Sequence, residues 1–212
     1  RPSSKQANIN PNGDTRMTSK LKTDVLETVS GSGTIALTNQ LTGMTSASMP
    51  SGSLLQTTGV KNIHSATIQT SSTSYVDSGL ANGTITPLGA GSSFVVTFNG
   101  FIPHHNGDAS NVGCQWKVYR SVNGGSYVAY DSSTVDGGVR TEGMANASWL
   151  DLNCSCQIFD TPTYTLGNVI NYRLYFSKIL AQSGTAHLHH QGGVLSGGKS
   201  ITMTSIIQEF KG

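Results

Sequence analysis

Charge is what this sequence has least of. Only 11% of its 212 residues are Asp, Glu, Lys or Arg, about half the usual share. That shortage excludes the Glu/Lys-rich profile of a coiled coil. With 36% hydrophobic residues the chain is equally unlike a disordered segment, which is poor in apolar residues and highly charged. No run of about 18 apolar residues occurs, so no membrane-spanning helix is expected. No charged segment leads into a short apolar stretch, so no secretory signal is expected either. Gly-x-Ser-x-Gly, P-loop and His-Glu-x-x-His motifs are missing, which removes the commonest sequence signs of hydrolases, nucleotide binding and zinc proteases.

Cysteine is scarce too, at three residues. Cys154 and Cys156 are separated by one residue, too close for the C-x-x-C redox or zinc pattern. On a strand Leu150, Leu152, Cys154, Cys156 and Ile158 share one face, so the thiols read as small buried hydrophobes. Free thiols of this kind suit synthesis in a reducing cytoplasm.

What the sequence has in plenty is Ser (28), Thr (24) and Gly (25). The net charge of +2 hides an asymmetry. Arg1, Lys5, Arg16, Lys20 and Lys22 face only Asp14 in the first 22 residues, leaving the remainder at −2. Five cations diluted by Ser, Asn and Pro, without aromatics, read as a solvated leader. Neutralising so few phosphates gives weak, salt-sensitive affinity, so no nucleic acid is expected as a partner.

Residues 1–61 read as an N-terminal arm and connector: a polar leader at 1–16, a loosely alternating extended stretch from Met17, and MTSASMPSGSLLQ at 44–56 with a turn at Pro50 and Gly52. From residue 62 the pattern is regular. Strands are expected at His64–Thr70, Thr84–Thr86, Ser93–Phe101, Gly113–Val122, Ser126–Asp131, Ser148–Phe159, Val169–Gln182 and Ser200–Phe210, separated by turn residues such as Asn-Gly-Gly at 123–125. In VINYRLYFSKIL, Ile170, Tyr172, Leu174 and Phe176 share one face while Arg173, Tyr175 and Ser177 share the other. No helix of ten residues is expected between 62 and 212. About eight strands with one-sided apolar faces mean an all-β fold: an antiparallel β-sandwich or jelly roll over 62–212 with an extended N-terminal arm.

Candidate chemistry is sparse. Glycoside hydrolysis needs two carboxylates roughly 5–10 Å apart, and Asp151 with Asp160 is the pair to try first. The histidines are the concentrated feature: five of six sit at His104–His105 and at His187-Leu-His189-His190. On an extended segment His187 and His189 point the same way and could ligate one ion. Three chains around an axis would give six nitrogens. Otherwise both clusters are exposed polar loops, where binding residues concentrate. The sequons at Asn82, Asn146 and Asn153 read as coincidence in an Asn/Ser/Thr-rich chain.

The run SATIQTSSTSYVDSGLANGTITPLGAGSSFVVTFNG (65–100) resembles the opening of the C-terminal jelly-roll-like domain of tailed-phage tail-fibre and appendage proteins, of the type frequent in marine phages. The pieces at 19–40 and 44–56 are similar to that family's leader, and TYTLGNVINYRLYF (163–176) with SITMTSIIQEF (200–210) to its last strands. Residues 102–162 match only as strands of the right kind. The resemblance implies a virion protein made in the host cytoplasm, a homotrimer that attaches to other virion proteins through its arm. It implies a tail fibre or receptor-binding component whose task is adhesion to a host-surface glycan or protein, not catalysis, and no cofactor. The same fold also serves capsid decoration or head-fibre proteins, and glycan-degrading tailspike enzymes form a third class. Loops 102–112, 136–148 and 183–199 are expected to present His104, His105, Asn106, Arg140, His187, His189 and His190 to the receptor.

Overall fold

Strict alternation of apolar and polar residues drives the chain into strands rather than helices. A computed structural model describes residues 46–64, 67–80, 82–106, 112–133, 136–141, 153–179, 184–189 and 201–212. Most of the expected arm, residues 1–45, lies outside the described residues. Among those described, helix is limited to one 3-10 turn at Ser46–Ser48. The strands are β1 (Leu54–His64), β2 (Ile68–Thr70), β3 (Val76–Asp77), β4 (Gly83–Ile85), β5 (Ser93–Phe101), β6 (His104–Asn106), β7 (Val112–Val122), β8 (Val128–Ala129), β9 (Gly137–Thr141), β10 (Cys154–Asp160), β11 (Ile170–Lys178), β12 (Thr185–His189) and β13 (Ile201–Phe210).

Every strand pair among the described residues is antiparallel. One sheet has the order β1-β13-β5-β10; a second runs β3-β11-β7-β8, with β4 also on β11 and β9 also on β7; a small third sheet runs β2-β12-β6. The two large sheets face each other across a single core. Phe94, Val96, Phe98, Ile158, Met203 and Ile207 come from one, and Trp116, Val118, Ile170, Tyr172, Leu174 and Phe176 from the other. Each such side chain taken out of water contributes about 1.5–3 kcal/mol. The fold is therefore an all-β sandwich, as the alternation predicts.

Its details depart from the expectation: β3, β6, β9 and β12 lie where no strand was expected, and the start of the sandwich differs in two places. The expected strand at 64–70 is divided: His64 ends β1, while Ile68–Thr70 belongs to the small sheet. The residues expected as connector up to 56 already open β1, which pairs with β13 from Leu54 to His64 and so carries the sandwich across the expected boundary at 62. In LLQTTGVKNIH the alternation is carried by Thr, Gly, Lys and Asn. Pairing with a distant strand, not its own apolar content, makes this segment a strand.

Two backbone positions explain local choices. Asn123 (φ 51°) and Gly124 (φ 75°) are the central residues of the turn after β7. Left-handed conformations at both positions define the type I′ turn that matches strand twist. Gly100 (φ 88°) sits where a Cβ would lie 2.3 Å from the Thr202 carbonyl oxygen. Only glycine lets β5 approach β13 there.

Candidate functional site

The two histidine clusters, 82 residues apart in sequence between His105 and His187, meet in the small sheet. Thr-Ala-His-Leu-His at 185–189 alternates, and Ala186 and Leu188 are fully buried in the core cluster, which draws the segment into β12. His187 lies between them on the opposite face and is itself only 2% exposed. The register sets His187 opposite His104 of β6 on one side and opposite Gln69 of β2 on the other. Ala186 stands opposite His105, and Thr185 opposite Asn106.

These placements correct the expected loops. His104, His105 and Asn106 form an edge strand, and His187 is a buried strand residue rather than an exposed loop contact. Arg140 lies on β9 opposite Gly113 of β7, in a different sheet from the histidine strands. His189 closes β12 opposite Ile68; His190 lies outside the described residues. His64 ends β1 four residues before Ile68, and the Ile102 N–H donates to the Leu188 carbonyl at 3.1 Å. The described histidines thus gather where β1 and β5 run into the small sheet. The Nε2 of His64 is buried without a hydrogen-bond partner among the described residues, and burial lowers its pKa. Among the described side chains no group of three or more His, Cys, Asp or Glu is placed to hold a metal.

A second cluster, which the sequence reading did not single out, lies on the outer face of the β3-β11-β7-β8 sheet. Residues 173 and 175 alternate with the buried Tyr172, Leu174 and Phe176, so Arg173 and Tyr175 stand away from the core. Tyr175 of β11 and Tyr119 of β7 stack with ring centroids 4.0 Å apart and planes 20° apart. Tyr75 flanks Tyr119 at 6.2 Å, and Tyr127 flanks Tyr175 at 6.3 Å. The Arg173 guanidinium lies 4.3 Å above the Tyr127 ring and pairs with Asp77 at the rim. Burial, then the neighbouring Tyr119, pushes the Tyr75 hydroxyl up to about 12, and burial also raises Tyr175. The Tyr75 hydroxyl is buried without a hydrogen-bond partner among the described residues. This row of four rings, half-buried, with an Arg–Asp pair at one end, is pre-ordered for contact. The signal was available in the outward positions of INYRLYFSK, but Tyr119, Tyr127 and Tyr75 come from three other segments.

A polar groove of about 370 Å³, with Asn99, Asn153, Ser155, Thr202 and Thr204 in its wall, opens between β5, β10 and β13. The carboxylates have other tasks. Asp160, of the pair considered for hydrolysis, is 5% exposed, accepts from Arg120 and takes the Tyr172 hydroxyl at 2.8 Å; Asp151 lies outside the described residues. Glu209 is fully buried and accepts from the Leu88 and Gly89 backbone N–H groups, Ser92 Oγ and Gln56 Nε2 at 2.6–3.0 Å. No helix among the described residues is long and apolar enough to cross a membrane. No protein-family model matches the sequence, and comparison with curated proteins finds no match.

Proposed function

We propose that this chain is an adhesion module: a homotrimeric appendage protein of a tailed-phage virion, a tail fibre or receptor-binding component. In this reading it joins other virion proteins through its N-terminal arm and touches a host-surface glycan or protein with the sandwich. It performs no bond-breaking step and carries no cofactor. The observation that supports the reading is the Tyr75–Tyr119–Tyr175–Tyr127 row with Arg173 at its end. Tyrosine offers a large, rigid, amphipathic contact area at low entropic cost, and Tyr and Arg dominate contact energetics. A rigid sheet holds these rings before the partner arrives, so little ordering remains to oppose binding. Three copies on one particle raise avidity without strong single contacts.

The test uses the full chain, fluorescently labelled, against a panel of bacterial cells and their extracted surface polysaccharides. Saturable adsorption should weaken about 30-fold for Tyr119→Ala and for Tyr175→Ala, as expected for a central contact worth about 2 kcal/mol. A chain that adsorbs to no cell yet binds purified phage heads would replace the reading with a capsid-decoration role. Light scattering on the eluting protein gives the mass directly: three chains support the trimer and one chain overturns it.

A further inference from the structure

The polar groove on the outer face of the β1-β13-β5-β10 sheet has a built origin. Cys154 of β10 stands opposite Phe101 of β5, but Ser155 stands opposite Asn99, so β5 holds one extra residue there. That residue is Gly100, whose φ of 88° marks a bulge opening on a left-handed glycine. Phe98 and Phe101, three positions apart, are both fully buried, which leaves Asn99 and Gly100 together on the outer side. With no side chain at Gly100 the sheet surface is hollowed. The hollow measures about 370 Å³, at the lower end of small-ligand sites. Ser155, Asn99 and Thr204 cross it as one register row over β10, β5 and β13, and Asn153 and Thr202 extend the wall. Among the described residues none of these five polar side chains is tied to another protein group. Paired strands hold their amides and hydroxyls in place, yet leave them open to a ligand.

We infer that this groove binds a short, uncharged glycan unit. The ligand class follows from the lining. Two amides and three hydroxyls set donors and acceptors side by side, which matches the adjacent hydroxyls of a sugar, each able to donate and accept. Among the described residues the lining holds no Asp, Glu, Lys or Arg, and Lys61, next in the row beyond Thr204, is already engaged. An acidic sugar would therefore lose hydration without gaining a counter-charge. An apolar ligand would leave the polar wall unpaired. No aromatic ring lines the groove among the described residues, so no stacking adds to the hydrogen bonds. A single sugar unit is held weakly, with a dissociation constant of about 1 mM. The site goes beyond the adhesion reading, because the tyrosine row lies on the other large sheet and the groove does not depend on it.

Saturation-transfer NMR on the full-length protein tests this with the methyl glycosides of glucose, galactose, mannose and N-acetylglucosamine. Glucuronic acid and N-acetylneuraminic acid serve as charged counterparts. At least one neutral glycoside should bind saturably, and the acids should not. Asn99→Ala and Thr204→Val should each weaken binding about tenfold, the loss of one hydrogen bond. Circular dichroism is recorded first. Thr204→Val keeps the shape and β-branching of the side chain, so it decides alone if Asn99→Ala disturbs the bulge. Tyr119→Ala should leave sugar binding unchanged. A wild type that binds none of the neutral glycosides overturns the inference, as does equal binding of the acids or unchanged affinity in Thr204→Val. Binding lost in Tyr119→Ala but kept in Thr204→Val overturns it too and assigns the sugar to the tyrosine row. Failure of the adhesion reading shows separately, as a chain that adsorbs to no cell yet still binds the neutral glycoside through Thr204.

Discussion

Arg120 of β7 and Asp160 of β10 form an ion pair across the interior of the sandwich, tying the two large sheets to each other. Arg120 Nη1 donates to both carboxylate oxygens, and the Tyr172 hydroxyl donates to one of them at 2.8 Å. Burial, and then contact with the Asp160 carboxylate, drives the Tyr172 hydroxyl far above its ordinary range, so it stays a donor. The sandwich therefore has a polar clamp inside an apolar core, and its removal has a defined cost.

Arg120→Met should lower stability by about 3–5 kcal/mol, because it leaves the Asp160 carboxylate buried and unpaired. Tyr172→Phe should cost only about 1 kcal/mol, one hydrogen bond. Arg120→Met combined with Asp160→Leu should recover most of the loss. Urea denaturation at neutral pH measures all three, and a double variant no more stable than Arg120→Met would contradict the clamp.

Glu209 governs acid stability. Burial alone would raise its carboxyl, but hydrogen bonds from Leu88, Gln56, Gly89 and Ser92 outweigh it and hold the group below its ordinary value of 4.5. The folded state thus binds this proton more weakly than the unfolded chain. The resulting stability is fully present above 4.5 and is lost as the pH falls through the folded value. Glu209→Gln should cost about 1–3 kcal/mol at pH 7 and flatten the stability profile below pH 4.5. A wild-type profile with no slope there would refute this.

Cys114 and Cys156 are buried in the folded state and Cys154 is partly so. Burial pushes Cys114 and Cys156 up to about 12 and raises Cys154 as well. At pH 8 a thiol of that kind is thiolate in only about one part in ten thousand. Ellman's reagent should react slowly with native protein and release three equivalents in denaturant. Rapid labelling of Cys114 or Cys156 without unfolding would show that the core is open.

Gly137 fits under Trp116. A Cβ at that position would stand 2.5 Å from the indole ring, including Nε1, and a rigid ring cannot yield as a flexible chain end would. Gly137→Ala should therefore lose about 1–3 kcal/mol and perturb the near-ultraviolet spectrum of Trp116, which is 5% exposed. Gly138→Ala, whose Cβ would meet its neighbours at 3.3 Å or more, should be milder. Equal effects would place the strain elsewhere.

The fold class was legible because it depends on local pattern. A period of two in SFVVTFNGF and INYRLYFSK writes one apolar face directly into the chain, and Asn123-Gly124 writes its turn. β1 was not legible as a strand of this sheet, since its Thr, Gly and Lys take their place only by pairing with β13, some 140 residues later. The sites were legible as residue types but not as arrangements. His104 stands opposite His187 in register because β6 lies beside β12, and Tyr119 stacks on Tyr175 because β7 lies beside β11. By itself the sequence determined an all-β, weakly charged chain with two histidine clusters and an outward Tyr175. Tertiary structure alone decided which of them meet, because a strand's own pattern fixes its buried face, whereas its neighbour is chosen by hydrogen bonding and packing across long stretches of chain.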